Sequence, residues 1–262
     1  MAPPLWKGEQ KINRIFVPLL LAMALANLLV HLQALGLADT ASRGTDVMLY
    51  LIILLLIILS GRVMPFFTRA VIPGHAPKQN PVVDKVTLIA LGALILELLL
   101  LPTPWLTALL TLTLAVTQIL RLFGWYHRGI WKLPILWVLY TGFFWIIAGL
   151  LLMALAQFDL FPANLARHAL TLGGIGITTF GMMARVSLGH TGRPIDPAPA
   201  ISLGFVLLNI AAAARVFGPL LLAEKYNLWI HLSGGLWVIS FLLFSVVYLP
   251  KLSRPRVDGK AG

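Results

Sequence analysis

Eight apolar runs, each long enough to cross the hydrocarbon core of a bilayer, divide the 262-residue chain. A helix needs about 20 apolar residues for that, with roughly 17–25 tolerated. In lipid it must also satisfy its backbone hydrogen bonds internally. These two requirements leave an all-α polytopic membrane helix bundle as the fold. The runs place spans near 15–37, 46–62, 86–102, 104–123, 133–156, 168–187, 200–222 and 228–250, within one integral membrane domain covering 1–262. The break Leu101-Pro102-Thr103-Pro104 makes the third and fourth spans a tight hairpin. Only 11% of residues are charged, against about 25% in soluble domains.

The first run, Ile15 to Leu37, exceeds the roughly 7–15 residues of a signal-peptide core and ends in no small-residue cleavage site. It reads as a retained helix. Charge then sets the orientation. With the amino terminus inside, the inner segments hold Lys7, Lys11, Arg14, Arg62, Arg69, Lys78, Lys85, Arg121, Arg128 and Lys132. They also hold Arg185, Arg193, Lys251, Arg254, Arg256 and Lys260. Of the 20 basic residues, only Arg43, Arg167, Arg215 and Lys225 fall on the other side, so both termini are expected in the cytoplasm. The formal charge of +11 follows from the same bias. Basic residues punctuate the ends of apolar runs and none sits on a polar foldable domain, so membrane lipid, not nucleic acid, is the expected partner.

The chain has no cysteine, which removes disulfides, thiolate-held metals, iron–sulfur clusters and thiol nucleophiles. A metal would have to use histidine, methionine or carboxylate. In this threading His31, His168 and His231 lie near the outer ends of their spans, and His75, His127 and His190 lie in or beside inner loops. Imidazole is the commonest protein ligand for transition metals and heme iron, and hydrocarbon is a costly place to leave it idle. Three histidines at one depth therefore raise the question of a cofactor.

Three inner stretches carry motifs: GRVMPFFTR at 61–69, where Pro65 is expected to end a helix, RLFGWYHR at 121–128, and MARVSLGHTGRP at 183–194 after the glycine-rich run 173–181. Arginines and aromatics commonly anchor span ends at the headgroups, and Gly192, Pro194 and Pro197 suit turns. Against that reading stand five arginines on one face: Arg62, Arg69, Arg121, Arg185 and Arg193. A guanidinium fork pairs bidentately with carboxylate or phosphate, and the chain offers few acids. A bound anion, such as heme propionates or lipid phosphate, would answer the surplus.

GRVMPFFTR, RLFGWY, LTLGGIGITTFGMMARVSLGHTGRP at 170–194 and PRVDG at 255–259 resemble the NnrS family, bacterial inner-membrane heme–copper proteins associated with nitric oxide and nitrosative stress. The resemblance runs from about Asn13 to the carboxyl terminus, and MARVSLGHTGRP is its most specific part. It implies an all-helical protein of the bacterial cytoplasmic membrane that binds heme and copper and meets nitric oxide or a related small ligand. It implies no settled reaction, so no catalytic residue is assigned. Family members typically have near 12 spans and an amino-terminal Trp-His-Ala-His-Glu-like motif. This chain has neither and looks like their carboxyl-terminal two thirds. If the missing part supplies metal ligands, three outcomes stay open: one cofactor alone, a different mode of binding, or a homo-oligomer or companion subunit that supplies the rest.

Through the resemblance, His168, in a His-Ala-Leu-Thr segment, becomes the foremost ligand candidate for heme or metal. His31, in an NLLVHL segment one helical turn after Asn27, is the second. Interhelical hydrogen bonding is the competing role for His31. His231 matches no family motif and ranks third as a metal candidate. His190 matches the family on the inner face, where a role in the turn competes with cofactor binding. Arg62, Arg121, Arg185, Arg193 and Arg215 are candidates for the propionates. His127 reads as an anchor and His75 as solvated. The glycines of 173–181 suit close helix packing or the flat face of a porphyrin.

Arg215 lies about two thirds of the way through its span, where insertion costs at least roughly 2.5–3.5 kcal/mol. Pairing with Glu97 is the economical expectation, and Gln118 and Asn209 would extend the polar seam. The methionines form no cluster that would favour Cu(I). Two other functions compete with cofactor binding. A seam of Glu97, Arg215, Asn209 and His31 would suit a transporter of a metal, heme or small anion. A membrane subunit without cofactor is the other.

Overall fold

A computed structural model describes residues 14–259 of the chain. Lys7, Lys11 and Lys260, counted above as inner charges, and Asn13, where the resemblance begins, lie outside the described residues. Eight long helices run through the described part: α1 (Phe16–Ala34), α2 (Ala41–Val71), α3 (Pro81–Leu100), α4 (Pro104–Trp125), α5 (Pro134–Ala156), α6 (Ala163–His190), α7 (Pro199–Leu221) and α8 (Tyr226–Leu252). No strand occurs among the described residues. Seven of these helices are long and apolar enough to cross a membrane. The remaining one, α3, has 20 residues but carries Asp84, Lys85 and Glu97, and it packs between α2 and α4. The protein is an all-α polytopic membrane bundle.

Proline opens α3, α4, α5 and α7, the position where its missing N–H is an orphan in any case. Pro65 behaves otherwise. It was expected to end a helix, yet α2 continues for six residues beyond it, to Val71. The proline frees the carbonyl of Gly61, and the Gln79 amide donates to that oxygen at 3.3 Å. Arg121 Nη1 donates to the carbonyl of Ile57 at 3.3 Å, one turn earlier. These outside donors offset the lost hydrogen bond.

The centre of the bundle is α5, apolar on most of its surface, with thirteen buried residues between Ile135 and Met153. It packs against α4 and α6 and touches α2 and α7. In lipid such contacts rest on close packing, which small residues permit. The α5–α6 seam is made that way. A Cβ on Gly142 would stand 2.4 Å from the Thr178 hydroxyl, one on Gly149 2.6 Å from Leu170, and one on Gly173 2.6 Å from the Trp145 ring.

Residues Ala169–Gly176 of α6 form a π-helix. The wider turn brings Gly173 and Gly174 against Trp145 and Ile146 of α5. Long π segments are rare and frequently mark functional sites; this one begins directly after His168. Two helices are peripheral. Helix α1 packs against α2. Helix α8 packs mainly against α7 through Ser233 Oγ to the Ala211 carbonyl (2.9 Å) and Ser240 Oγ to the Gly204 carbonyl (3.2 Å). A cluster of Phe180, Phe205, Phe241 and Phe244 joins α8 to α6 and α7.

Candidate functional site

The three sequence motifs meet at one end of the bundle, here called the motif end. Arg121 sits at its centre. Its Nε lies 2.9 Å from Asp84, its Nη1 donates to Gln118 Oε1 at 2.8 Å, and its guanidinium stacks over the Trp125 ring at 4.8 Å. The group is packed so closely over Gly61 that a Cβ there would meet Nη2 at 2.0 Å. Arg185 lies over the Phe67 ring at 3.4 Å, and Arg62 approaches Phe16 at 5.8 Å. Arg193 Nη1 donates to the Thr191 carbonyl at 3.4 Å. Arg121 joins α2, α3 and α4 and has no fork left for propionates. It is a structural arginine.

The carboxyl-terminal motif completes this end. Val257 N donates to the Thr191 carbonyl at 3.2 Å, and Arg256 Nη1 donates to the His190 carbonyl at 3.2 Å while its Nη2 pairs with Asp258 at 2.6 Å. The Asp258 hydrogen bond raises the pKa of that guanidinium above its ordinary value. Gly192, at φ +70°, lies under the Asp258 carboxylate; a Cβ there would come within 2.7 Å of it. The PRVDG tail is thus folded onto the GHTGR turn. His190 is exposed, and its backbone carbonyl serves that latch.

His75 and His127, set aside in the sequence, meet with ring centroids 4.9 Å apart. His75 Nε2 lies 3.2 Å from the Trp125 carbonyl, and His127 Nδ1 accepts from Gly129 N at 3.0 Å. A carbonyl can only accept, so His75 carries its proton on Nε2. An accepting Nδ1 in neutral His127 likewise puts the proton on Nε2. His127 therefore has no free lone pair for a metal. The pair fastens the α2–α3 loop to the end of α4. The two stand 52 positions apart in sequence, and no local spacing signals the contact.

His168 lies at the opposite end of α6, half-buried where the helix passes α7. The Arg215 guanidinium of α7 acts on it electrostatically. Arg215 also donates to the Tyr226 hydroxyl at 3.3 Å and lies 5.4 Å from the centre of that ring, so its long stem carries the charge toward the end of the bundle. The structure does not pair it with Glu97. That carboxylate accepts from the backbone amide of Thr103, and from the Thr107 hydroxyl at 2.9 Å, where it caps the start of α4.

The other candidates stand apart. Asn27 and His31 are exposed on α1, not turned into the bundle, and His231 is exposed on α8. Among the described residues no three His, Cys, Asp or Glu side chains come together to hold a metal. Asn209 is held by Trp145 Nε1 at 3.2 Å and by the Phe205 carbonyl at 2.8 Å, and Gln118 by Arg121 and Thr87. Glu97 is bonded at the start of α4, Asn209 to Trp145 and the Phe205 carbonyl, and Arg215 to Tyr226, while His31 is exposed on α1, so the expected seam is a set of separate polar anchors. Gly173 and Gly174 are filled by Trp145 and Ile146, and Gly181 by Val138 and Leu139. That glycine face holds helices, not a porphyrin. Among the described residues, His168 at the edge of the π-helical segment, with Arg215 on the neighbouring helix α7, remains as a place that combines an imidazole and a cation.

The model of the family described as NnrS protein matches residues 1–256. No curated protein and no solved structure matches the chain.

Proposed function

Because this multi-pass membrane protein belongs to the NnrS family, we propose that it binds one heme at His168 and contributes to resistance against nitric oxide and nitrosative stress. The observation that supports the reading is the half-buried His168 at the start of the π-helix, where α6 packs against α7, the helix that carries Arg215. That imidazole would hold the iron through a ring nitrogen, and the guanidinium on the neighbouring helix would pair with a propionate. Heme iron, when bound, supplies a site for nitric oxide and for one-electron exchange. Tyr226 fixes the Arg215 head, and Thr171 Oγ1, bonded to the Arg167 carbonyl at 2.9 Å, holds the helix around His168. The arginines of the motif end do not fit the same heme, because the length of α6 lies between them and His168. Arg185 and Arg193 in particular belong to the architecture of that end.

Copper is the less supported part of the reading. The described residues bring no three donors together, so a copper ion would need donors from a second copy or a companion subunit. Family membership supports location in the bacterial cytoplasmic membrane, the charge bias supports both termini inside, and both are part of the same proposal. The experiment is direct. The protein is purified in detergent from heme-replete cells, and its absorption spectrum, pyridine hemochrome and metal content are measured. The expected result is close to one heme per chain. A colourless, metal-free preparation rejects the proposal and favours transport or a subunit without cofactor.

A further inference from the structure

At the end of the bundle opposite the motifs, five helices surround a cavity of about 220 Å3. Its polar lining comes from Asp46 and Tyr50 of α2, Thr103 and Thr107 at the start of α4, Gln157 just after α5, and Arg167 of α6. Two features set it apart from an ordinary gap between helix ends. Tyr50 is 2% exposed, yet its hydroxyl has no hydrogen-bond partner. Buried polar groups are normally satisfied, so an orphan of this kind needs an explanation. The second feature is the charge count. Asp46 and Arg167 neutralise one another at 3.2 Å. Glu97, 8% exposed behind the threonine wall, is bonded among the described residues to the neutral donors of Thr103 and Thr107. Asp46, Arg167 and Glu97 all act electrostatically on the Tyr50 hydroxyl.

The cavity therefore presents the Asp46–Arg167 pair with hydroxyl and amide oxygens around it, and the Glu97 carboxylate lies one layer behind, on Thr103 and Thr107. We propose that it binds a monovalent cation together with part of its hydration shell, with Tyr50, Asp46, Thr103 and Gln157 offering oxygen atoms and Glu97 the uncompensated negative charge. Oxygen donors suit hard cations; only the Met153 thioether on the apolar wall is soft. A divalent ion would call for more carboxylates than one unpaired group. The volume exceeds that of a bare ion and leaves room for waters, each occupying about 30 Å3 in the liquid. A ligand here would join α2, α4, α5 and α6 at one end. This site is independent of heme.

The test follows thermal unfolding of the full chain in neutral detergent at constant pH. Lithium, sodium, potassium and ammonium chlorides are compared with choline chloride at equal ionic strength. At least one small cation raises the midpoint saturably, as a ligand of the folded state must. Tyr50→Phe and Glu97→Gln each raise the half-saturating concentration about tenfold or more while keeping the midpoint in choline near that of the parent. Tyr50→Phe preserves ring and volume and decides alone if Glu97→Gln does not fold. Equal midpoints in all the salts overturn the proposal, as does unchanged saturation in the variants. A midpoint that follows pH, ignores the cation and loses its pH response in Glu97→Gln assigns the cavity to a proton and overturns it as well.

Discussion

His168 and His190 stand at opposite ends of one continuous helix, α6, separated by about 30 Å at the rise of a helical residue. Both match the same family pattern, yet they cannot share a metal or a porphyrin. The helix divides the protein into an end where a cofactor is proposed and an end where arginines hold segments together.

Heme retention should therefore follow the arginines by position. Arg215→Ala should lower the heme-to-protein ratio of the purified protein or shift its spectrum. Arg185→Ala and Arg193→Ala, at the other end of α6 or beyond it, should leave both unchanged in whatever protein folds. Equal losses in all three would place the propionates elsewhere.

Arg121→Ala should destabilise the bundle without touching heme. It leaves Asp84 and Gln118 without their partner and uncovers Gly61. Breaking a well-buried pair costs roughly 3–5 kcal/mol. Asp84 is 42% exposed, so solvent screening lowers the expectation to about 1–3 kcal/mol. Thermal unfolding in detergent reads the loss, and Asp84→Asn should show a smaller one.

The glycines of α6 should separate by what faces them. Gly173→Val would drive two methyl groups into the Trp145 ring, and overpacking of this kind costs typically 1–3 kcal/mol. Gly176 meets nothing nearer than 3.6 Å, so Gly176→Ala should be tolerated. Similar folded yields and unfolding midpoints for the two variants would contradict the packing of the seam.

The latch at the motif end should show itself in proteolysis. Asp258→Ala removes the Arg256 partner and the carboxylate over Gly192. Cleavage in the 189–194 turn should then be faster than in the parent, with little change in global unfolding. An unchanged cleavage rate would mean that the tail does not cover the turn in solution.

Much of the bundle was legible because its length and polarity rules are severe. A helix lies on each of the eight apolar runs, seven of them long and apolar enough to cross a membrane, and the Pro102–Pro104 hairpin falls where the prolines place it. The α2 boundary was misjudged at Pro65 because the donors that sustain the helix, Gln79 and Arg121, come from later segments. The same limit governs the site. The role of Arg121 depends on Asp84, 37 positions away, and the meeting of His75 with His127 on a loop closure. Charge bias predicts a common depth for His31, His168 and His231, but depth does not fix direction around a helix. His168 is half-buried, whereas His31 and His231 face outward. The π segment was missed because glycines signal close approach without saying which helical register it takes.

The central claim is that His168 holds a heme, and the most direct measurement is the pyridine hemochrome ratio of His168→Ala beside His31→Ala, His190→Ala and the parent. The account predicts heme in the parent, its loss or a changed axial spectrum in His168→Ala alone, and parental values in the other two. A parental ratio and spectrum in His168→Ala, with loss in His31→Ala or His190→Ala, would contradict it.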